Sequence, residues 1–412
     1  MNLMERFRRQ FSFTWGVGTI EFGAGKAAQL GSIARGMKAR NLLVVTDKGI
    51  VKSGVIAKIE EPLKAAKVNY TVFDEVEPNP LDKIVEKGAE LARQTKAGAI
   101  VGLGGGSSID SAKAVSLLAT NPGGIRDYQI KSPEDFQKLK VHPLPLIAIP
   151  TTSGTGTEGN FWSIITHTDN WSKMAIGGPP VYPGGPCVAA KVAIDDPLLT
   201  VSLPPFQTAS TGLDAFAHHY DSYTATLSNP ISDAISEYSI KLIRSFLPIA
   251  YTNGKDLEAR EMMMLASLLG GISFANSDCS AVHCLAEALG GMYGNPPRPV
   301  VAHGLACSLF LPWCMEYNAL TDPVKHANVA RFLGEDVSGL TLSVAARRCV
   351  DGVKRLIRAA EVPTSLEAVG VKKEDLPAVA ERATWNVSVE SNPRPLSHEV
   401  FLDILNKAYK GW

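Results

Sequence analysis

Long apolar runs are missing from this 412-residue sequence; nothing approaches the roughly 18 apolar residues that a membrane-spanning helix needs. An excess of either charge is missing too. Forty-one basic residues balance forty-one acidic ones, which argues against nucleic acid or a membrane surface as partner. Cysteine is scarce: Cys187, Cys279, Cys284, Cys307, Cys314 and Cys349 form no CxxC pair and no zinc-finger spacing. Such thiols are expected to be buried and reduced, which fits a cytoplasmic protein. The start, MNLMERFRRQFSF, is basic but lacks an apolar signal core, so it does not read as secretory. An Arg-rich organelle presequence is the competing reading of that start. Repeats and low-complexity segments are absent as well.

What is present is enough apolar residue, 45%, to fill well-packed interiors, in a chain longer than one compact core usually holds. The first half alternates. NLLVVTD (41–47), YTVFDEV (70–76), the start of AGAIVGLGGGSS (97–108) and PLIAIPTT (145–152) read as strands. The stretches 51–66, 80–96 and 108–120 have helical spacing, so a parallel sheet covered by helices is expected. After LTVSLPP (199–205) the texture becomes helical, with few β-branched runs and no clear hairpin. Pro204 and Pro205 mark the expected boundary between an α/β domain (1–204) and an all-α domain (205–412). The Gly/Pro cluster GGPPVYPGGP (177–186) reads as a surface loop or lid.

The segment VGLGGGSSIDSAKA places Gly104, Gly105, Gly106 and Ser107 between a buried strand and a helix. Glycines let the backbone approach a ligand, and the helix start offers free N–H groups to a phosphate. Neither the P-loop pattern nor GxGxxG is met, and a tight turn without ligand is the alternative. Asp47 ends the first strand of that region, where a carboxylate can accept both ribose hydroxyls and repel a 2′-phosphate, favouring NAD over NADP. Its alternative role is to cap the next helix. PTTSGTGTE (150–158) adds hydroxyl donors at another strand end. Together these suggest a dinucleotide, with other nucleotides still open.

In LDAFAHHYDSY (213–223), residues four apart on a helix lie about 40° apart around the axis, so Asp214 and His218 share a face while His219 turns away. Asp221 falls on the same stripe one turn on. A carboxylate and an imidazole make half of a divalent metal site, and the further ligands can come from His283, His303, His326 or His398. His283 and His303 bracket a Gly/Pro-rich loop that can return both to one ion. Satisfied core or surface histidines are the alternative for each of them.

The chain resembles the iron-dependent (group III) alcohol dehydrogenases over nearly its full length. The matching stretches are VVTDKGIV (44–51), VEPNP (76–80), GLGGGSSIDSAKA (102–114), IPTTSGTGTE (149–158), TASTGLDAFAHHYDSY (208–223), HGLACSLFLPWCMEYN (303–318), VPTSLEAVGV (362–371) and NPRPLS (392–397). The resemblance implies a Rossmann-like NAD(P) domain, a helical metal domain and an active site in the cleft between them. By motif position it implies Asp214, His218, His283 and His303 as metal ligands. It implies Asp47, Asn79, Gly105, Gly106, Ser107, Asp110, Thr151, Thr152 and Thr155 around the cofactor, with Lys173 added from a stretch that aligns less securely. Homo-oligomers are common in that family, so one is expected here.

Two departures from the family pattern stand out. Its last two metal histidines are usually closer together; here His283 and His303 are twenty residues apart, with the extra residues in GNPPRPVV. A histidine four residues after the third ligand is usual for proton relay, and Glu287 stands there. The expected chemistry is hydride transfer between a small alcohol or aldehyde and NAD(H), assisted by Fe²⁺, or by Zn²⁺, with Glu287 as candidate for the relay. A metal- and NAD-dependent sugar-phosphate lyase of the dehydroquinate synthase type is the alternative, though only Arg298 lies close to the ligand-bearing stretches. A catalytically weak cofactor-binding homologue, prompted by Glu287, is the other.

Overall fold

The computed structural model describes residues 10–294, 298 and 300–412. The basic start (1–9) and positions 295–297 and 299 of the GNPPRPVV loop lie outside the described residues.

Six strands, β1 (Val17–Phe22), β2 (Asn41–Asp47), β3 (Asn69–Val76), β4 (Ala99–Gly104), β5 (Leu146–Pro150) and β8 (Ala190–Asp195), form one sheet in the order β1-β8-β5-β4-β2-β3. Every pairing in it is parallel. A separate antiparallel pair, β6 (Trp162–Thr166) and β7 (Lys173–Gly177), stands beside it. Helices α1 (Leu30–Gly36), α2 (Lys48–Lys52), α3 (Ala57–Ala65), α4 (Asp82–Gln94) and α5 (Gly106–Leu118) connect the strands. β4 and β5 are buried along their whole length, which is why their sequences run apolar without alternation. Two apolar clusters fill the sheet's surroundings, one around Leu43, Val45 and Ile100, the other around Leu42, Val44 and Val101. Successive residues of one strand thus feed opposite faces.

The chain leaves β2 outward to β3 and then returns to place β4 on the other side of β2. The strand order reverses there, so the carboxyl ends of β2 and β4, Asp47 and Gly104, flank the crevice in which ligands of open α/β sheets bind.

From Pro205 on, the described residues hold helices and no strand: α6 (Pro205–Thr224), α7 (Pro230–Thr252), α8 (Leu257–Phe274), α9 (Ala281–Tyr293), α10 (His303–Asn318), α11 (Pro323–Phe332), α12 (Leu342–Ala359), α13 (Leu376–Ala383) and α14 (His398–Lys410). They enclose a core that includes Phe216, Tyr220, Phe310 and Phe401, all fully buried. A side chain of that size contributes about 1.5–3 kcal/mol on burial. α6 carries Pro205 at its first turn, where no N–H partner is lost. Among the described residues, no helix is long and apolar enough to cross a membrane.

The α/β sheet followed by a helical half is the fold class expected from the sequence. Local readings differ in places. The helix expected across 51–66 is two pieces, because Gly54 takes φ +76° between α2 and α3. Strands β1, β6, β7 and β8 were not among the strands read from the sequence. In β1, VGTIEF, Gly18 dilutes the apolar pattern, yet a Cβ there would sit 2.6 Å from the Lys191 carbonyl oxygen, so close strand contact requires a glycine.

Candidate metal and nucleotide site

α6 supplies the first donors. Asp214 and His218 are buried, at 2% and 5% exposure, on the face turned to α9 and α10. His219 points elsewhere: its Nε2 lies 2.8 Å from the Ala266 carbonyl of α8 and its Nδ1 3.4 Å from the Ser236 hydroxyl of α7. The two neighbours in sequence therefore serve different surroundings. His303 opens α10, and the next residue explains its closeness: a Cβ on Gly304 would stand 2.1 Å from the Ser210 carbonyl of α6. Only glycine lets the two helices meet that tightly. His303 Nε2 then lies 3.5 Å from Asp214 Oδ1.

His283 is in the first turn of α9. Its Nε2 is 3.9 Å from Asp214 Oδ1, and its Nδ1 is 2.7 Å from Asp221 Oδ2. Asp221 also accepts from the Ser280 N–H at 3.0 Å and the Ser280 hydroxyl at 2.6 Å. A carboxylate from α6 thus satisfies the start of α9 and fixes the ring whose second nitrogen faces the centre. The rings of His218 and His283 are 4.3 Å apart, and those of His283 and His303 5.7 Å. Asp214, His283, His303 and Cys307 each bring a donor atom within 4.8 Å of the others. His218, Cys279 and His283 do the same. His283 belongs to both groups.

His283 Nε2 and His218 Nδ1 are buried without a hydrogen-bond partner. Leaving such nitrogens bare costs about 1–3 kcal/mol each, and a cation is the partner that a cluster of imidazoles and a carboxylate suits. Burial drives the His218 pKa well down, helped by the neighbouring imidazoles. Burial likewise pushes His303 down to about 4, against the pull of Asp214. Both rings are held neutral, the form that binds a metal. On His283 the Asp221 hydrogen bond and charge outweigh burial and raise the pKa.

The centre opens onto a cleft of about 1200 Å³, part of it open to solvent. Asn79, Gly106, Ser107, Asp110, Thr155, Lys173, His218, His283, Glu287 and His303 line it, from both halves of the chain. Trp162, Ile164, Phe274 and Val387 give it apolar walls. Gly104 has φ +143° with the Ser108 hydroxyl 2.6 Å from where a Cβ would be, and Gly106 leaves 2.6 Å to Thr155 Cγ2, so both glycines are needed for the turn.

Asp47, Gly105, Thr151, Thr152 and Asp214 do not line the cleft itself. Asp47 caps α2 through Oδ1, accepting from Gly49 N at 2.7 Å and Ile50 N at 3.0 Å, while Oδ2 accepts from Ser108 Oγ at 3.4 Å. Capping and a position at the crevice are thus both present in one carboxylate. Thr151 is buried, its N–H donating to the Gly104 carbonyl at 3.0 Å, which ties the two loops together. Asp110 accepts from Thr157 Oγ1 at 2.5 Å and Ile164 N at 3.1 Å, and burial raises its pKa. Lys173 donates to Asn79 Oδ1 at 2.6 Å and Thr166 Oγ1 at 3.0 Å, and burial pushes it down to about 8. Glu287 accepts from Asn386 Nδ2 at 2.7 Å; burial raises its pKa, with His283 and Lys173 pulling the other way.

His326 and His398 stand apart from the centre. His326 is buried between Tyr220 and the Asp322 carbonyl, and His398 bonds the Pro377 carbonyl. Cys279 and Cys307 were not singled out from the sequence. A cysteine outside any short spacing pattern gives no local signal; only the packing of α9 and α10 on α6 brings them in.

A doubly wound parallel sheet with its glycine turn facing a carboxylate–imidazole centre defines a class of enzyme that uses a metal and a nucleotide in one cleft. Comparison with known proteins gives the family. Residues 18–197 match the iron-containing alcohol dehydrogenase family, and residues 208–409 match the C-terminal part of the Fe-containing alcohol dehydrogenase family. A choline dehydrogenase of Bacillus subtilis is 35% identical over 390 residues, covering 95% of this chain and 93% of its own. An NAD-dependent methanol dehydrogenase of Bacillus methanolicus is 32% identical, over 94% of this chain and 97% of its own. The crystal structure of a 1,3-propanediol oxidoreductase superposes with a TM-score of 0.89 at 32% identity, covering 97% of this chain and all of the other. The chain belongs to the iron-containing alcohol dehydrogenase family. It is an oxidoreductase acting between alcohols and their carbonyl compounds.

Proposed function

We propose that this chain oxidises a short alcohol, or reduces the matching aldehyde, with NAD(H) and one divalent ion held by Asp214, His218, His283 and His303. The observation that carries the reading is His283: Asp221 engages Nδ1, and the bare, buried Nε2 faces Asp214. Held by these four residues, an Fe²⁺ or Zn²⁺ ion would supply Lewis acidity to an alcohol oxygen, and a bound nicotinamide would supply the hydride acceptor.

The chain's own residues do the rest. The N–H groups of Gly105, Gly106 and Ser107 at the start of α5 bind the pyrophosphate. Asp47 takes the ribose hydroxyls, which disfavours NADP. Thr151, Thr152 and Thr155 border the same loop, Asp110 and Lys173 fix the far wall, and Asn79 is held by Lys173. Trp162, Phe274 and Val387 restrict water around the reacting carbon. Glu287, anchored by Asn386, accepts the hydroxyl proton.

The lyase reading needs cations for a phosphate-bearing substrate. Among the described residues lining the cleft, Lys173 is the only Lys or Arg, and Arg298 pairs with Asp375 at 3.3 Å. The six free cysteines suit a reducing, cytoplasmic compartment, and a homo-oligomer remains part of the proposal. The test is reduction of NAD and NADP across short alcohols, diols and hydroxy acids with Fe²⁺, Zn²⁺ or Mn²⁺ supplied. Preferential NAD reduction with a short alcohol supports the reading; no hydride transfer in any combination, despite bound metal, sinks it.

A further inference from the structure

The donors around His283 are of two kinds. On one side stand Asp214 and His303, with oxygen and nitrogen donors, and Cys307, whose thiol donates to Asp214 Oδ1 at 3.4 Å and lies 3.7 Å from His303 Nε2. On the other side are His218 and Cys279, with the sulfur of Cys279 within 4.8 Å of a ring nitrogen of each of His218 and His283. Cys279 also lines the cleft and is partly exposed to it, whereas Cys307 is buried in α10. The Cys279 side therefore offers three donor atoms, one each from Cys279, His218 and His283, and the rings of His218 and His283 are both more than nine-tenths buried, with His283 Nε2 left without a hydrogen-bond partner.

We propose that Cys279 is a ligand of the metal centre, adding a sulfur donor beside His218 and His283. The inference rests on the metal site of the preceding section and extends its donor set. As the sulfur–metal bond forms, the S–H bond breaks and its proton leaves to solvent; no electron is transferred. A thiolate is a soft donor, so the centre favours zinc or cobalt over iron more strongly than carboxylate and imidazole alone would. Cys307 differs because it is buried and its thiol donates to Asp214 Oδ1 at 3.4 Å, where it orients that carboxylate.

The position of Cys279 in the chain supports this role. The preceding residue, Asp278, takes φ +69°, a left-handed conformation held by hydrogen bonds from Ser388 Oγ at 2.7 Å and Ser391 Oγ at 2.5 Å. Its Oδ1 also accepts from the Cys279 N–H at 2.8 Å. Two serines from the segment before α14 thus fix the turn that presents the thiol, an investment of structure that a surface cysteine does not need.

The test uses the full-length protein stripped of metal and reloaded with Co²⁺. Wild type is expected to bind one Co²⁺ per chain and show the ultraviolet sulfur-to-cobalt charge-transfer band. Cys279→Ser should bind Co²⁺, lose that band and shift its zinc-over-iron affinity ratio toward iron by roughly tenfold or more. Cys307→Ser should keep the band. Stoichiometric Co²⁺ without the band in wild type, or an unchanged band in Cys279→Ser, overturns the inference while leaving the metal site intact. Failure of wild type to bind Co²⁺ at all overturns the underlying site as well. X-ray absorption on the zinc-loaded protein gives a second readout: one sulfur neighbour in wild type and none in Cys279→Ser.

Discussion

The Nδ1–H of His283 donates to Asp221 Oδ2 at 2.7 Å, joining two helices across 62 positions of sequence. That bond selects the tautomer in which Nε2 carries the lone pair, and Nε2 is the nitrogen that faces Asp214. Replacing Asp221 by Asn removes the charge that raises the basicity of His283. Metal affinity should fall roughly 10- to 100-fold, read by competition with a chelator, while the circular dichroism spectrum stays that of the wild type.

In the proposed reaction Glu287 takes up the hydroxyl proton and does not bind the ion. Burial raises its pKa, and only the ionised form accepts a proton, so kcat/KM should climb with pH through that ionisation. Glu287→Gln keeps the bond geometry available to Asn386. It should lower kcat on the order of 100-fold, remove the rising limb and leave metal content unchanged, as pH profiles and metal analysis would show.

Gly106 tests the nucleotide turn separately from the metal. A Cβ there meets Thr155 Cγ2 at 2.6 Å and Oγ1 at 3.0 Å, so the Thr155 side chain in the loop after β5 must give way. Gly106→Ala is expected to raise KM for NAD roughly tenfold, since crowding of this kind costs about 1–3 kcal/mol. Metal stoichiometry should not change.

His326 lies away from the site and reports on acid stability. Burial, aided by Lys325, pushes its pKa down to about 3, and the ring stays neutral between the Tyr220 hydroxyl and the Asp322 carbonyl. An unfolded histidine titrates near its ordinary 6.5, so between these values the unfolded chain binds the extra proton. Stability from this group is complete above about 6.5 and drains away as pH falls toward 3. Urea midpoints should show that decline in wild type. His326→Asn should be less stable at neutral pH and flatter across the same window.

The sequence made the sheet legible where strands are buried on both faces, as in NLLVVTD and AIVGLG, because continuous β-branched and aliphatic runs have few other uses. It failed at β6 and β7, whose five residues each, WSIIT and KMAIG, are too short to show an apolar/polar alternation. In the site, spacing on one helix separated His218 from His219, since that distinction is local. The pairing of Asp221 with the start of α9 and the arrival of Cys279 and Cys307 depend on contacts between helices far apart in sequence, which periodicity does not encode. The capping bonds of Asp47 were anticipated as an alternative to ribose binding; the structure shows one carboxylate whose two oxygens face different partners.

The most direct measurement counts metal in the purified, reloaded protein and in two neighbouring variants. If Asp214, His218, His283 and His303 hold one ion, wild type and His219→Ala carry one divalent metal per chain, and His218→Ala carries none. Metal retained in His218→Ala and lost in His219→Ala would contradict the centre described here.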